Sequence, residues 1–86
     1  MDDVMRNRNA AVLANRLREA RAARELSQGD LARTVGVSRQ TISSIETGQY
    51  CPSALLAFRL AEALAVSVTD LFWIVEAHHE MALDPR

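Results

Sequence analysis

Apolar positions recur along this chain at the three- and four-residue spacing of helices packed on one side. From about Ala10 onward, Leu13, Leu17, Ala20 and Ala23 form one stripe while Arg16, Arg18, Arg21 and Arg24 line the opposite face, so a first helix is predicted there. Glu25-Leu26-Ser27 interrupts it. Ser27, with Asp30 three residues later, has the form of a capping box that opens a second helix over 28–35. Leu31, Val35, Val37, Ile42 and Ile45 keep the inward spacing across Gly36, which places a third helix over 39–47 with Ser38 as its cap. Gly48 closes that helix, and Gln49-Tyr50-Cys51-Pro52 makes a turn to the next cap, Ser53. A fourth helix over 54–64 follows from the ridge Leu56, Leu60, Leu64 with Ala57 and Ala61 beside it, and Ser67 with Asp70 opens a short fifth helix through Leu71 and Phe72. Beyond it, Trp73-Ile74-Val75 fits either a continued helix towards His79 or a short strand, because β-branched and aromatic residues suit both.

A chain of 86 residues, 49% apolar with three glycines and two prolines, has room for one core and favours a compact helical domain. The expected architecture is therefore all-α, a five-helix bundle ending in a short strand or an extended fifth helix. Residues 1–9 read as a flexible N-terminal arm, 10–76 as the folded domain and 77–86 as a C-terminal tail. Arg6 and Arg8 would suit a minor-groove arm, but Asp2 and Asp3 would repel phosphates, so a loose end is the plainer reading. The single cysteine, Cys51, excludes an internal disulfide and a cysteine-rich zinc site, and a reducing cytoplasm fits. No apolar run approaches the roughly 20 residues that span a bilayer, and the N-terminus lacks the apolar core of a signal peptide.

Gln28 to Thr47 carries the chemistry. Ala32 one turn before Gly36 lets a second helix cross close above the first, and Gly36 can take the positive φ that the bend requires, which is the layout of a helix-turn-helix. The exposed start of the following helix is Arg39, Gln40 and Thr41, then Ser43 and Ser44. Guanidinium and amide groups on such a face can form paired hydrogen bonds with base edges. The formal net charge of −1 argues against a nucleic-acid partner until its distribution is considered. Residues 1–50 hold eight arginines against six acidic groups, and residues 51–86 hold two against five, so the positive half contains the motif. His78 and His79 would point about 100° apart on a helix, and with no third ligand they imply no metal. Glu76 and Glu80 read as a solvated face. With no phosphate loop, nucleophile constellation or paired carboxylate in a cleft, the chain is not expected to be an enzyme or to need a cofactor.

The stretch LSQGDLARTVGVSRQTISSIETGQYCPS, followed by LAEALAVSVTDLF, resembles the short single-domain members of the Cro and cI-repressor type of helix-turn-helix regulator, the XRE family. The resemblance implies a lambda-repressor-like five-helix bundle that binds operator DNA as a homodimer. It implies that Arg39, Gln40, Ser43 and Ser44 read bases in the major groove, with Ser43 or Thr41 nearer its wall and Thr41 at the DNA backbone. Ser27, Gln28 and Ser38 would meet the DNA backbone, as would Thr47, Gln49 and Tyr50 through main-chain amides and side chains. It also implies a structural ion pair between Arg21 and Glu46. Two departures stand out, since Gly29 stands where a helix former such as glutamate is common and Cys51 where a polar or basic residue is usual.

One recognition helix reads only a few base pairs, so two copies related by a twofold axis are expected on a roughly palindromic site. Leu55 and Phe58, on a different face of the fourth helix from its ridge, and Phe72, Trp73, Ile74 and Val75 are the expected dimer contacts. The partners expected are double-stranded DNA and a second copy, with no membrane. A transcriptional repressor is the main reading; the alternative is an antitoxin that uses the same domain to bind DNA and a partner protein.

Overall fold

Four of the five helices begin where a serine hydroxyl takes over a backbone amide that the helix itself cannot satisfy. In a computed structural model, which describes residues 11–76, Ser27, Ser38, Ser53 and Ser67 accept from the amides of Asp30, Thr41, Leu56 and Asp70. The elements in chain order are strand β1 (Ala11–Asn15), helices α1 (Leu17–Ala23), α2 (Gln28–Val35), α3 (Arg39–Glu46), α4 (Ala54–Leu64) and α5 (Val68–Leu71), and strand β2 (Phe72–Glu76). Asp30 completes the capping box of α2 by accepting from the Ser27 amide at 3.1 Å. These hydrogen bonds from Ser27 hold the Asp30 carboxyl below its ordinary range, and the nearby charge of Arg33 adds to the effect.

Two helices, α2 and α4, end in a left-handed cap residue. Gly36 closes α2 at φ +80°, and its amide and that of Val37 both donate to the Ala32 carbonyl, which turns the chain into α3 within three residues. Ala65 does the same for α4 at φ +58°, without glycine's freedom. Beneath the bend, Leu31, Ala32 and Val35 of α2 meet Ile42 and Ile45 of α3 in one core with Leu17, Leu56, Leu60, Ala61, Leu64, Leu71 and Phe72. Burying each large aliphatic side chain contributes about 2 kcal/mol, enough to hold α2 and α3 as one body.

The first predicted helix is half wrong. Ala11–Asn15 is extended and pairs antiparallel with β2, from Ala11 opposite Glu76 to Asn15 opposite Phe72, so α1 begins only at Leu17. Leu13 does pack on the core, and its spacing from Leu17 mimicked a helical stripe; the partner strand that decides the matter lies almost a whole domain away in sequence. Ala23 is exposed, and Arg21 is not on a solvated face but half-buried. Among the described residues the fold is thus five helices with a two-stranded sheet, not purely all-α; the strand alternative for 73–75 is the one realised, and it starts at Phe72, which the sequence had placed in the fifth helix. The proposed arm, residues 1–9, and tail, 77–86, lie outside the described residues, as do His78, His79 and Glu80.

Asn15 joins the ribbon to the bundle. Its Oδ1 accepts from the Leu17 amide at 2.9 Å, taking the place of a side-chain cap that Arg16 does not supply, and its Nδ2 donates to the Ile45 carbonyl at 3.0 Å. The Arg16 amide donates to the Leu71 carbonyl at 3.0 Å, and its guanidinium lies 5.2 Å from the Trp73 ring centroid. Both strands are thereby fixed against the helices at one end.

Candidate nucleic-acid interface

Ile42 and Ile45 occupy the inner stripe of α3, and helical geometry then turns Arg39, Gln40 and Ser43 outward. Arg39 and Gln40 are exposed on the first turn; Ser43, Ser44 and Thr41 are half-buried beside them. Ser38 caps the helix, and its hydroxyl lies 2.9 Å from that of Thr41. The surface is polar and one helix wide, and a major groove admits one α-helix.

At the start of α2, Ser27 and Gln28 stand beside this face. Helix geometry leaves the amides of Gln28 and Gly29 without an acceptor of their own, since the Asp30 amide goes to Ser27 Oγ, and free first-turn amides favour an anion. Gly29 sits in that first turn, where a methyl group would meet only Ser27 Oγ at 3.8 Å. Its cost to the helix is correspondingly below that of a mid-helix glycine.

The turn after α3 differs from the sequence expectation. Thr47, Gln49 and Tyr50 are exposed, but their amides donate to the carbonyls of Ser43, Ser44 and Ser44 respectively, and the Gly48 amide donates to Ile45. Main-chain contacts to phosphates from Thr47, Gln49 and Tyr50 are therefore not on offer, because closing the helix already uses those donors. The Thr47 hydroxyl also turns back, 3.1 Å from the Ser43 carbonyl and 3.3 Å from that of Ser44. What remains for a phosphate is the Gln49 amide group and the Tyr50 hydroxyl. Cys51, next in the turn, is exposed.

Arg21 and Glu46 meet as an ion pair between α1 and the end of α3. Arg21 Nε lies 2.7 Å from Glu46 Oε2 and Nη2 lies 3.2 Å from Oε1, a two-point contact, and Nη1 donates to the Leu26 carbonyl at 2.9 Å. The Glu46 side chain is fully covered. Burial alone would raise its pKa, but hydrogen bonds from Arg21 and Gln28, with the charges of Arg21 and Arg18, outweigh that and hold the carboxyl below its ordinary value. Sequence spacing did not disclose Gln28 as a member of this cluster. Its Nε2 donates to Glu46 Oε1 at 3.0 Å, and its Oε1 accepts from Arg39 Nη1 at 3.2 Å.

Of the expected dimer contacts, Leu55 and Phe58 project from α4 with 64% and 60% exposure, and Trp73, Ile74 and Val75 are exposed on β2. Phe72 is a correction, for at 7% exposure it belongs to the domain's own core and has little surface left for a partner. Val12 and Val66 are exposed apolar residues that the sequence reading missed. Val12 becomes visible as such only once β1 is known to be a strand, since it then shares one face of the ribbon with Ala14, Trp73 and Val75.

Comparison with known proteins matches this arrangement to a described family. The Helix-turn-helix family profile fits residues 17–71. The HTH-type transcriptional regulator YgzD of Bacillus subtilis is 44% identical over 64 residues, covering 74% of this chain and 97% of the relative. An HTH-type transcriptional regulator of Methanocaldococcus jannaschii is 48% identical over 60 residues, covering 70% and 91%. Among solved structures, the restriction-modification controller protein C.AhdI from Aeromonas hydrophila superposes with a TM-score of 0.61 at 38% identity, over 64% of this chain and 80% of that one.

Proposed function

The chain belongs to the Cro/cI-type (XRE) helix-turn-helix family of DNA-binding transcriptional regulators, and from that premise we propose that it acts as a repressor, occupying a palindromic operator as a homodimer. The observation that carries this reading is the outward presentation of Arg39 and Gln40 on a helix whose inner side is locked by Ile42 and Ile45. A rigid helix positions these groups at little entropic cost, and Arg and Gln are the side chains that pair two-pointedly with guanine and adenine. Ser43 and Ser44 extend the same face, while Ser27, Gln28, Ser38 and Thr41, with the side chains of Gln49 and Tyr50, would meet the phosphates beside it.

Apolar exposure supports the second copy. Leu55 and Phe58 on α4, with Trp73, Ile74 and Val75 on β2, are exposed large apolar side chains that a second copy would cover. A twofold axis would set two recognition helices about 34 Å apart, one turn of B-DNA. The weakly negative total charge makes non-specific binding modest and salt-sensitive, which leaves discrimination to base contacts.

Selection of duplexes from a random pool tests the proposal in one step. The parent should recover a palindrome with half-sites one helical turn apart, and the Arg39→Ala/Gln40→Ala variant should recover no common sequence while keeping the parent's helical circular dichroism. Recovery of the same sequence by both would sink the assignment of the site. Recovery of a lone half-site by a monomer would instead favour the partner-protein reading, with the bare apolar residues receiving a different chain, as in an antitoxin.

A further inference from the structure

We propose that Glu46, acting through the side chain of Gln28, orients the guanidinium of Arg39 for base reading, so that a carboxylate out of reach of DNA helps to set sequence preference. The inference rests on Arg39 being a base-reading residue. Its basis is a continuous line of hydrogen bonds from α1 to the exposed start of α3. Arg21 anchors Glu46 at two points, 2.7 and 3.2 Å; Glu46 Oε1 receives Gln28 Nε2 at 3.0 Å; and Gln28 Oε1 receives Arg39 Nη1 at 3.2 Å.

The direction of this line is dictated by chemistry. An ionised carboxylate only accepts hydrogen bonds, so the Gln28 amide must turn its NH2 towards Glu46. That leaves its oxygen facing Arg39, whose guanidinium only donates. A reversed amide would set oxygen against oxygen at one end and N–H against N–H at the other. Glu46 therefore fixes which end of Gln28 faces the guanidinium, although its own side chain is fully covered. With Nη1 held by Gln28, the edge of Arg39 formed by Nε and Nη2 stays free to pair with N7 and O6 of a guanine. Holding the fork beforehand also reduces the side-chain freedom lost when DNA binds.

Gln28 as a positioning residue and Gln28 as a phosphate contact give different results. A phosphate contact carries no sequence information, so removing it weakens all duplexes alike; a positioning group changes preference at the base pair that Arg39 reads. Gln28→Met keeps the length and removes both hydrogen bonds. Measured on the selected operator and on single-base-pair variants of it, Gln28→Met should lower discrimination by about tenfold at the position where Arg39→Ala also lowers it, and leave the other positions unchanged. The double variant Gln28→Met/Arg39→Ala should discriminate no worse than Arg39→Ala alone, because the first residue acts through the second. Glu46→Gln, whose amide can no longer dictate the orientation of Gln28, should reproduce the loss at that position in a variant verified to be folded by circular dichroism.

Uniform weakening by Gln28→Met with preference intact, or additive losses in the double variant, would overturn the inference and leave Arg39 as a reader. If Arg39→Ala itself leaves preference unchanged at every position, the reading of the site fails first.

Discussion

In the α2–α3 unit each helix start is marked by a serine three residues from the amide it caps, whereas β1 meets β2 across nearly the whole described chain. The two regions differ as much in what they expose. Around α3 the outward groups are a guanidinium, amides and hydroxyls, several hydrogen-bonded to one another. The ribbon presents Val12, Trp73, Ile74 and Val75, and of its ten residues only Glu76 is charged. A rigid polar probe suits reading a groove in which water must be replaced bond for bond. An apolar ribbon fixed at one end suits adhesion to another protein surface. Substitutions in the first region should therefore change which DNA is bound, and those in the second should change stability or assembly with preference intact.

The sharpest way to break that division is to remove the carboxylate that joins the helices. Glu46→Ala leaves Arg21, whose side chain is only 15% exposed, without its partner, and should cost about 3 kcal/mol in urea unfolding. Acid tests the same pair from the other side. The carboxyl of Glu46 titrates below its ordinary 4.5 in the folded chain, so its contribution is complete above that value and is lost as pH falls through the lower folded value. The parent should lose stability steeply below about pH 4.5, and Glu46→Ala should show a flatter acid limb. Equal acid slopes would mean that the pair contributes nothing to the unit.

Asn15 is where the two regions meet, and it ranks next. Asn15→Ala removes the cap of the Leu17 amide and leaves the Ile45 carbonyl without its donor, a loss of about 2 kcal/mol. A loss near zero would show that the ribbon is tied to the helices by its apolar contacts alone. Trp73→Ala should act on assembly instead, weakening self-association by about tenfold as a buried aromatic anchor does, while each half-site keeps its base preference. Sedimentation and selected sequences would separate the two effects.

How much of this was legible in the sequence follows from the range of the forces involved. Ser27 with Asp30, Ser38 before Arg39, Gly36, Gly48 and Ser53 all act within four residues, and α2, α3 and α4 fall where those signals put them. Leu13 and Leu17 lie four apart and satisfied a helical period, yet pairing with Ile74 and Trp73 settled Ala11–Asn15 as a strand. Nothing local to residues 11–15 records that partner. The same limit hid the bridge made by Gln28, because its two neighbours, Glu46 and Arg39, are brought to it only by the bend at Gly36. The saturation of the amides of Thr47, Gln49 and Tyr50 was also out of reach, since it depends on how tightly the end of α3 closes.

Left-handed residues extend the contrast to the backbone itself. Within the α2–α3 unit both such positions, Gly36 and Gly48, are glycine and have open space where a side chain would begin, so a Cβ there would be opposed by φ alone. Outside it, Glu25 and Ala65 take φ +58° with a Cβ in place. Such a residue carries roughly 1 kcal/mol of backbone strain, part of which glycine would forfeit through its freer unfolded chain. Ala65→Gly should therefore raise stability by about 0.5 kcal/mol, a shift of roughly 3 °C in Tm for a domain of this size, with the selected operator unchanged. The α4 cap lies away from the reading face, and its amide already bonds the carbonyls of Ala61 and Glu62, so nothing at the interface moves. If Tm falls instead, Ala65 contributes more through its methyl group than its backbone costs, and the reader's glycines would then be explained by the sharpness of the bends they make rather than by strain avoided.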